Sequence, residues 1–370
     1  MKTTSWLSIF TCSLYFILGI ARADMVSISQ NGNDNTTNVY QDTGNSFTQV
    51  SIEQNSHSNM AAVSQSGEGN YQYAIVVQKG YSTTGISQLG NNDGAYVVQS
   101  SNSADKNATT LSQSGNNDYA AFIQYGDSSY ADILQSGHGN HVGYNGFAYQ
   151  NGHSDSLYVN QSGNNNTVST WQTGDYATIW LKQPGDNNWA GLIQNNTYDN
   201  EVVGTQSGQR NTFDSYQEGT YHSIWFLQAG SDHRAVITQL EGGVAGNIGI
   251  VEQYSYNNQS TINQSGISNY VRTTQAGIAG NNIATINQAG YGEFTFVDQE
   301  SSYNQAYVNQ PAGVASAIEV FQWGTAGNNY ANINQSGTLS SAYITQAGAT
   351  SHVASITQTG DINSAKINQH

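Results

Sequence analysis

The sequence is short of the residues that most soluble domains rely on. It has one cysteine, two prolines and three methionines in 370 residues, and only 9 Lys+Arg against 25 Asp+Glu. An ordinary domain draws about a quarter of its residues from Asp, Glu, Lys and Arg, whereas this chain draws 9%. With a single cysteine there is no disulfide framework, and without proline or dense charge there is no extended disordered tract. The net charge of −16 excludes a basic nucleic-acid binder, because an acidic chain has no extended patch with which to displace phosphate counterions. A long Leu-rich helical core is absent too. What the chain does have is 39 Gly, 24 Tyr and an abundance of Asn, Gln, Ser and Thr.

The first 23 residues read as a leader. Lys2 supplies a positive start, Trp6 to Ile20 is apolar, and Ala21-Arg22-Ala23 places small residues where a signal peptidase cuts. The expectation is a signal peptide over 1–23 and an exported mature chain over 24–370. The only cysteine, Cys12, lies within the leader, so the mature chain has no thiol.

Glutamine then recurs with a period. From Gln30, Gln41, Gln54 and Gln65, through Gln161, Gln172, Gln183 and Gln194, then Gln264 and Gln275, to Gln335, Gln346, Gln358 and Gln369, thirty glutamines are separated by 29 intervals, of which 18 are eleven residues. Two residues before each Gln stands Ile, Val, Leu or Phe in 25 of 30 cases, and four before it small or branched residues dominate. Six before it Asn is commonest, as at Asn59, Asn166, Asn188, Asn269, Asn329 and Asn363. The unit N-x-A-x-I-x-Q alternates with the period of a strand and puts its four marked side chains on one face. A turn such as Ser162-Gly163-Asn164-Asn165 follows.

One such strand cannot bury its narrow apolar row alone. Two strands facing each other across about 10 Å, stacked at about 4.8 Å, satisfy every backbone group. The predicted fold is therefore all-β: a β-solenoid with two strands per coil and about fifteen coils, able to assemble into cross-β fibrils. The longer intervals Gln99 to Asn107 and Gln239 to Asn247 are read as enlarged turns that leave the strand register intact. Stacked Gln and Asn amides are expected to form ladders, each bonding to the same residue of the next coil.

Segments such as Gln358 to Gln369, Gln183 to Gln194 and Gln335 to Gln346 resemble the curlin repeat, Q-x-G-x-x-N-x-A-x-x-x-Q. Ser82, Ser129, Ser316 and Ser340 match the serine that precedes the second Gln of that repeat by six residues. The resemblance covers essentially the whole of 24–370. It implies a major subunit of curli, the functional amyloid that Gram-negative bacteria secrete through a dedicated outer-membrane pore and build into biofilm fibres. It also implies a minor curlin nucleator and the secretion machinery as partners, beside the chain itself as a homopolymer. The array is longer than in familiar major curlins, and no Gly-rich secretion segment stands between the leader and Met25.

Neither end of the array carries a divergent capping repeat, so the first and last strands are expected to be open edges. Val26, Ile28 and Gln30 at one end, and Ala365, Ile367 and Gln369 at the other, are the expected docking edges for head-to-tail addition. No cofactor, metal or catalytic group is expected. His222 and His233 fall at the Asn position, His138 and His141 are read as lying in an enlarged turn, and none has clustered ligands around it. Outward Trp171, Trp180, Trp189 and Trp225 suit a strand surface or a contact with another fibre or a carbohydrate. Outward Asp132, Lys182, Arg234, Glu252, Asp298 and Glu319 suit restraint of premature assembly. A minor-curlin nucleator, an ice-binding solenoid and a carbohydrate-binding solenoid are the alternative functions.

Overall fold

A computed structural model describes residues 24–43, 47–67, 71–101, 106–143, 146–240, 245–311, 313–325 and 328–370. The expected leader lies outside them. Strands alternate between two parallel sheets, one of fifteen strands and one of seventeen, of which His141–Val142 and Gly313–Val314 are two-residue fragments. Sheet one begins with Met25–Asn31 and ends with Val353–Thr359; sheet two begins with Thr36–Thr43 and ends with Ser364–Gln369. This is the two-stranded β-solenoid that the repeat predicts.

The register follows the pattern. Ser156–Asn164 pairs with Thr178–Gln183 so that Leu157, Val159 and Gln161 meet Ile179, Leu181 and Gln183. The same in-phase pairing recurs along both sheets, as where Ile286 meets Val308 and Gln288 meets Gln310. Inward positions are buried and outward ones are not, giving the alternating burial of strands such as Thr167–Asp175. The core is therefore a thin dry slab of Ala, Ile, Val and Leu held between two walls of hydrogen-bonded backbone. In the turns, Gly163 has φ +124°, and a Cβ there would strike the carbonyl oxygen of Gly185 one coil on. The glycines stack as closely as their backbones allow.

Three of the five departures from the aliphatic row, Thr170, Gly204 and Ser215, sit at the middle of the slab. A Cβ on Gly204 would overlap the Phe226 ring. That ring lies flat against Phe213, with centroids 3.5 Å apart and planes within 8°. Gly204 and Ser215 thus give up volume that two phenylalanines fill, which preserves packing density across neighbouring coils. Thr170 and Ser215 bury hydroxyls that have no hydrogen-bond partner among the described residues.

One insertion breaks the rule that additions enlarge turns. In the longest interval, Gln135 to Gln150, the extra residues interrupt a strand. His141–Val142 pairs with Tyr119 and Ala120, and Ala148 resumes the row opposite Phe122. His141 therefore opens a strand row beside Thr167 rather than lying in an enlarged turn, and His138 ends the strand Tyr130–His138.

Candidate assembly interface

The glutamines form two ladders along the axis. Gln30, Gln54, Gln172, Gln194, Gln264, Gln335 and Gln358 belong to sheet one; Gln41, Gln65, Gln161, Gln183, Gln275, Gln346 and Gln369 belong to sheet two. In sheet one each Nε2 donates to Oε1 of the Gln in the following coil at 2.7 to 3.2 Å, through fourteen links. Sheet two repeats this through fourteen links at 2.6 to 3.0 Å.

All the links point the same way, and a second contact fixes that direction. Gln172 Nε2 also donates to the Ser156 carbonyl at 3.2 Å, Gln194 Nε2 to Thr178 at 3.3 Å, and Gln275 Nε2 to Gln259 at 2.8 Å. Because a carbonyl on the opposite wall can only accept, the amide must turn its nitrogen towards it, leaving Oε1 to receive the preceding coil. The stack is polar as a result. Among the described residues Oε1 of Gln30 and Gln41 receives no donor, and Nε2 of Gln358 donates to nothing.

Asn59 makes the expected amide-to-amide link, its Nδ2 donating to Asn35 Oδ1 at 3.1 Å, but the other Asn positions work differently. Oδ1 of one residue accepts the backbone N–H of its counterpart in the next coil: Asn188 donates to Asn166 at 3.0 Å, Asn269 to Asn247 at 3.0 Å, Asn329 to Asn304 at 3.2 Å, and Asn59 to Asn35 at 3.1 Å. Nδ2 turns to turn carbonyls instead, as Asn269 does to Ser265 at 2.8 Å and to Gly290 at 3.1 Å. Asn363 Nδ2 holds Thr359 and Gly360 in the last turn. Each Asn is thus a cap that closes a turn and ties it to the next.

His222 and His233 substitute for Asn in this scheme. Nδ1 of His222 accepts the Asn247 backbone N–H at 3.0 Å, and Nε2 lies 3.1 Å from the Glu218 carbonyl, which requires a neutral ring protonated at Nε2. Burial lowers the pKa of both histidines. Among the described residues no three His, Cys, Asp or Glu side chains group as metal ligands.

Four acids also occupy the cap position, which sequence reasoning missed: Asp93, Asp118, Asp155 and Glu293. The Asp155 Oδ1 accepts the Ala177 N–H at 3.0 Å as an Asn would. Its Oδ2 lies 2.7 Å from where a Cβ on Gly152 would sit, the place taken at Asn188 by Nδ2, 2.9 Å from the corresponding point on Gly185. An oxygen thus stands where an N–H donor belongs, and it has no partner among the described residues. Burial pushes the Asp93, Asp155 and Glu293 carboxyls up to about 7 and raises Asp118 as well.

The sign of the resulting pH dependence follows. Below about pH 4 an aspartate is protonated in both folded and unfolded chains; between about 4 and 7 only the folded chain keeps the proton, so stability falls as pH rises through that window. Asp155→Asn restores the missing donor. It is expected to raise stability at pH 7.5 by about 3 kcal/mol and to change it little at pH 4. Denaturant unfolding of both chains at the two pH values measures this. An equal effect at both would show that the proton is not involved.

The end strands are the two rims of the stack. Met25–Asn31 pairs only with Thr48–Asn55, and Ser364–Gln369 only with Ser341–Gln346, among the described residues. Val26, Ile28, Ala365 and Ile367 are half-buried where their counterparts inside the stack are fully buried. The two expected edges, however, lie in different sheets and do not face each other along the axis. Within their own sheets the residues in phase with Val26, Ile28 and Gln30 at the far end are Ala354, Ile356 and Gln358, and those in phase with Ala365, Ile367 and Gln369 are Thr37, Val39 and Gln41. Parity carried this signal: an even number of strands always begins in one sheet and ends in the other.

Self-similar coils tied together by two amide ladders define a solenoid repeat protein. A family model for the curlin associated repeat matches residues 104–137, which span Tyr119–Asp127 and most of the strands on either side. No curated protein matches the chain. Residues 104–137 are thus similar to the curlin associated repeat, a structural rather than enzymatic repeat, and the strand pattern of that segment recurs along both sheets.

Proposed function

We propose that the chain is a structural subunit of extracellular curli-like amyloid fibres, growing head-to-tail on the surface of a Gram-negative bacterium to supply biofilm matrix and adhesion. The polarity of the two glutamine ladders carries this reading. The C-terminal coil offers amide N–H donors and the N-terminal coil offers Oε1 acceptors, so a second copy continues both ladders in one orientation only. A contact of this kind is heterologous and does not close, and filaments result. On this reading residues 1–23 are removed on export, the outer-membrane curli machinery releases the chain, and a minor curlin starts the fibre. Negative-stain microscopy of residues 24–370 diluted from denaturant tests the proposal. Unbranched filaments support it, whereas discrete particles that persist at high concentration refute it.

A further inference from the structure

One corner of the solenoid carries a column of aromatic rings that belongs to neither the core nor the glutamine ladders. It lies where four successive strands of sheet one end: Ala148–His153, Thr167–Asp175, Trp189–Tyr198 and Thr212–Thr220. Each coil contributes one ring, in the order His153, Tyr176, Tyr198 and Tyr221. Their centroids are 5.8, 5.4 and 5.8 Å apart and their planes cross at 83°, 69° and 77°. The edge of one ring therefore rests on the face of the next. The backbone fixes the order, since the Tyr176 N–H donates to the His153 carbonyl at 2.8 Å and the Tyr221 N–H to the Tyr198 carbonyl at 2.9 Å.

The turns bend to make this column. Tyr176 and Tyr221 have φ +58° and +59°, a left-handed conformation that bulky residues seldom adopt. In the coils between and before them the same position is held by Asp199 at φ +57° and Ser154 at φ +59°, short polar residues that suit it. In those coils the ring comes instead from the preceding residue, Tyr198 or His153, and this alternation produces the crossed planes. The three tyrosines are 43 to 45% exposed and stand at a corner, away from the two strand edges that end the stack. A dissolved oxidant reaches them whether or not copies stack end to end.

We propose that Tyr176, Tyr198 and Tyr221 are sites of oxidative cross-linking, where phenols of successive coils couple as dityrosine under hydrogen peroxide and a haem peroxidase. Each of two phenols gives up one electron and one proton. The radicals join carbon to carbon, ortho to the hydroxyls, and the hydrogens on those two carbons pass to the oxygens and restore both rings. Hydrogen peroxide takes up the two electrons and two protons and leaves as two waters. Rings already in contact couple ahead of separated ones, because contact replaces a diffusional encounter. The product staples one coil to the next and leaves the ladders in place.

The test treats an equal mixture of ordinary and isotope-labelled 24–370 chain with the peroxidase and peroxide, digests it with trypsin and maps the links by mass spectrometry. Tyr198 is the only tyrosine between Lys182 and Arg210, so trypsin isolates it on one peptide. The expected result is a dityrosine link from that peptide to Tyr176 or Tyr221, with both halves from one chain. Combining Tyr176→Phe with Tyr221→Phe keeps the rings but removes both partner phenols, and should lower links from the Tyr198 peptide at least about tenfold. Tyr216→Phe, which removes a hydroxyl that donates to Glu218 at 2.7 Å, leaves them unchanged. Absence of dityrosine, a Tyr198 peptide that stays unlinked while other tyrosines couple, or links that persist in the double variant overturns the proposal. Links that join only labelled to unlabelled chain also overturn it and assign this corner to contact between copies.

Discussion

If copies add head-to-tail as proposed, lysine in place of Ile28 or Ile367 is expected to stop fibre growth while leaving the single chain folded. Both isoleucines are half-buried at the open ends of the core, so in an isolated chain the lysine stem can run along the apolar row and hold its ammonium in water. Docking of a second copy removes that route and leaves an unpaired charge in a dry slab, at a cost of several kcal/mol. Seeded elongation followed by dye binding is expected to fall at least about a hundredfold for either variant. Ser27→Lys, on the exposed outward face of the same strand, should elongate at the ordinary rate. The pairing of ends gives a sharper outcome. In an equimolar mixture the free C-terminal coil of Ile28→Lys meets the free N-terminal coil of Ile367→Lys, and growth halts at dimers visible by sedimentation. Dimers from either variant alone would mean that like ends join, against the polarity of the ladders.

The second large effect is internal. Gln217 accepts from Gln194 at 2.9 Å, donates to Gln239 at 2.9 Å and donates to the Glu201 carbonyl at 3.2 Å. Gln217→Ala leaves those three buried groups without partners, each at about 1 to 3 kcal/mol, so a loss of about 4 to 6 kcal/mol is expected. A solenoid is coupled only through neighbouring coils, and this break lies at two adjoining coil boundaries near the middle of the stack. Thermal unfolding should therefore change from one transition to two, as the coils on either side separate in stability. The exposed Gln259→Ala, which removes an outward amide, should shift stability by less than about 0.5 kcal/mol. A single unshifted transition in Gln217→Ala would show that the ladder contributes nothing to cohesion.

The architecture was legible because stacking in register gives every coil the same chemical environment, so one strand's needs are written thirty times. Gln, with two donors and an acceptor, is suited to bond its own copy, and its spacing exposed the coil. The Asn role was less legible, since Asn acts here on backbone groups of the adjoining turn, and a backbone N–H leaves no trace in residue identity. The acids at Asp93, Asp118, Asp155 and Glu293 did leave one. Each stands six residues before a ladder Gln, at an inward phase where a charge does not belong. Gly204 reads as a defect until Phe226 is seen to fill its space, because compensation across coils joins residues 22 apart that no local pattern links. The break after Val142 was hidden for a related reason: interval length gives the size of an insertion but not whether it falls in the turn or the strand.

Mass per length of unstained filaments, measured by scanning transmission electron microscopy, tests the central claim most directly. Fifteen coils per sheet at about 4.8 Å give one chain for every 70 Å or so of a single filament. That value, together with a 4.8 Å meridional reflection, is the predicted result. One chain per 4.8 Å, the value for flat chains stacked in register on one another, would contradict end-to-end continuation of the solenoid.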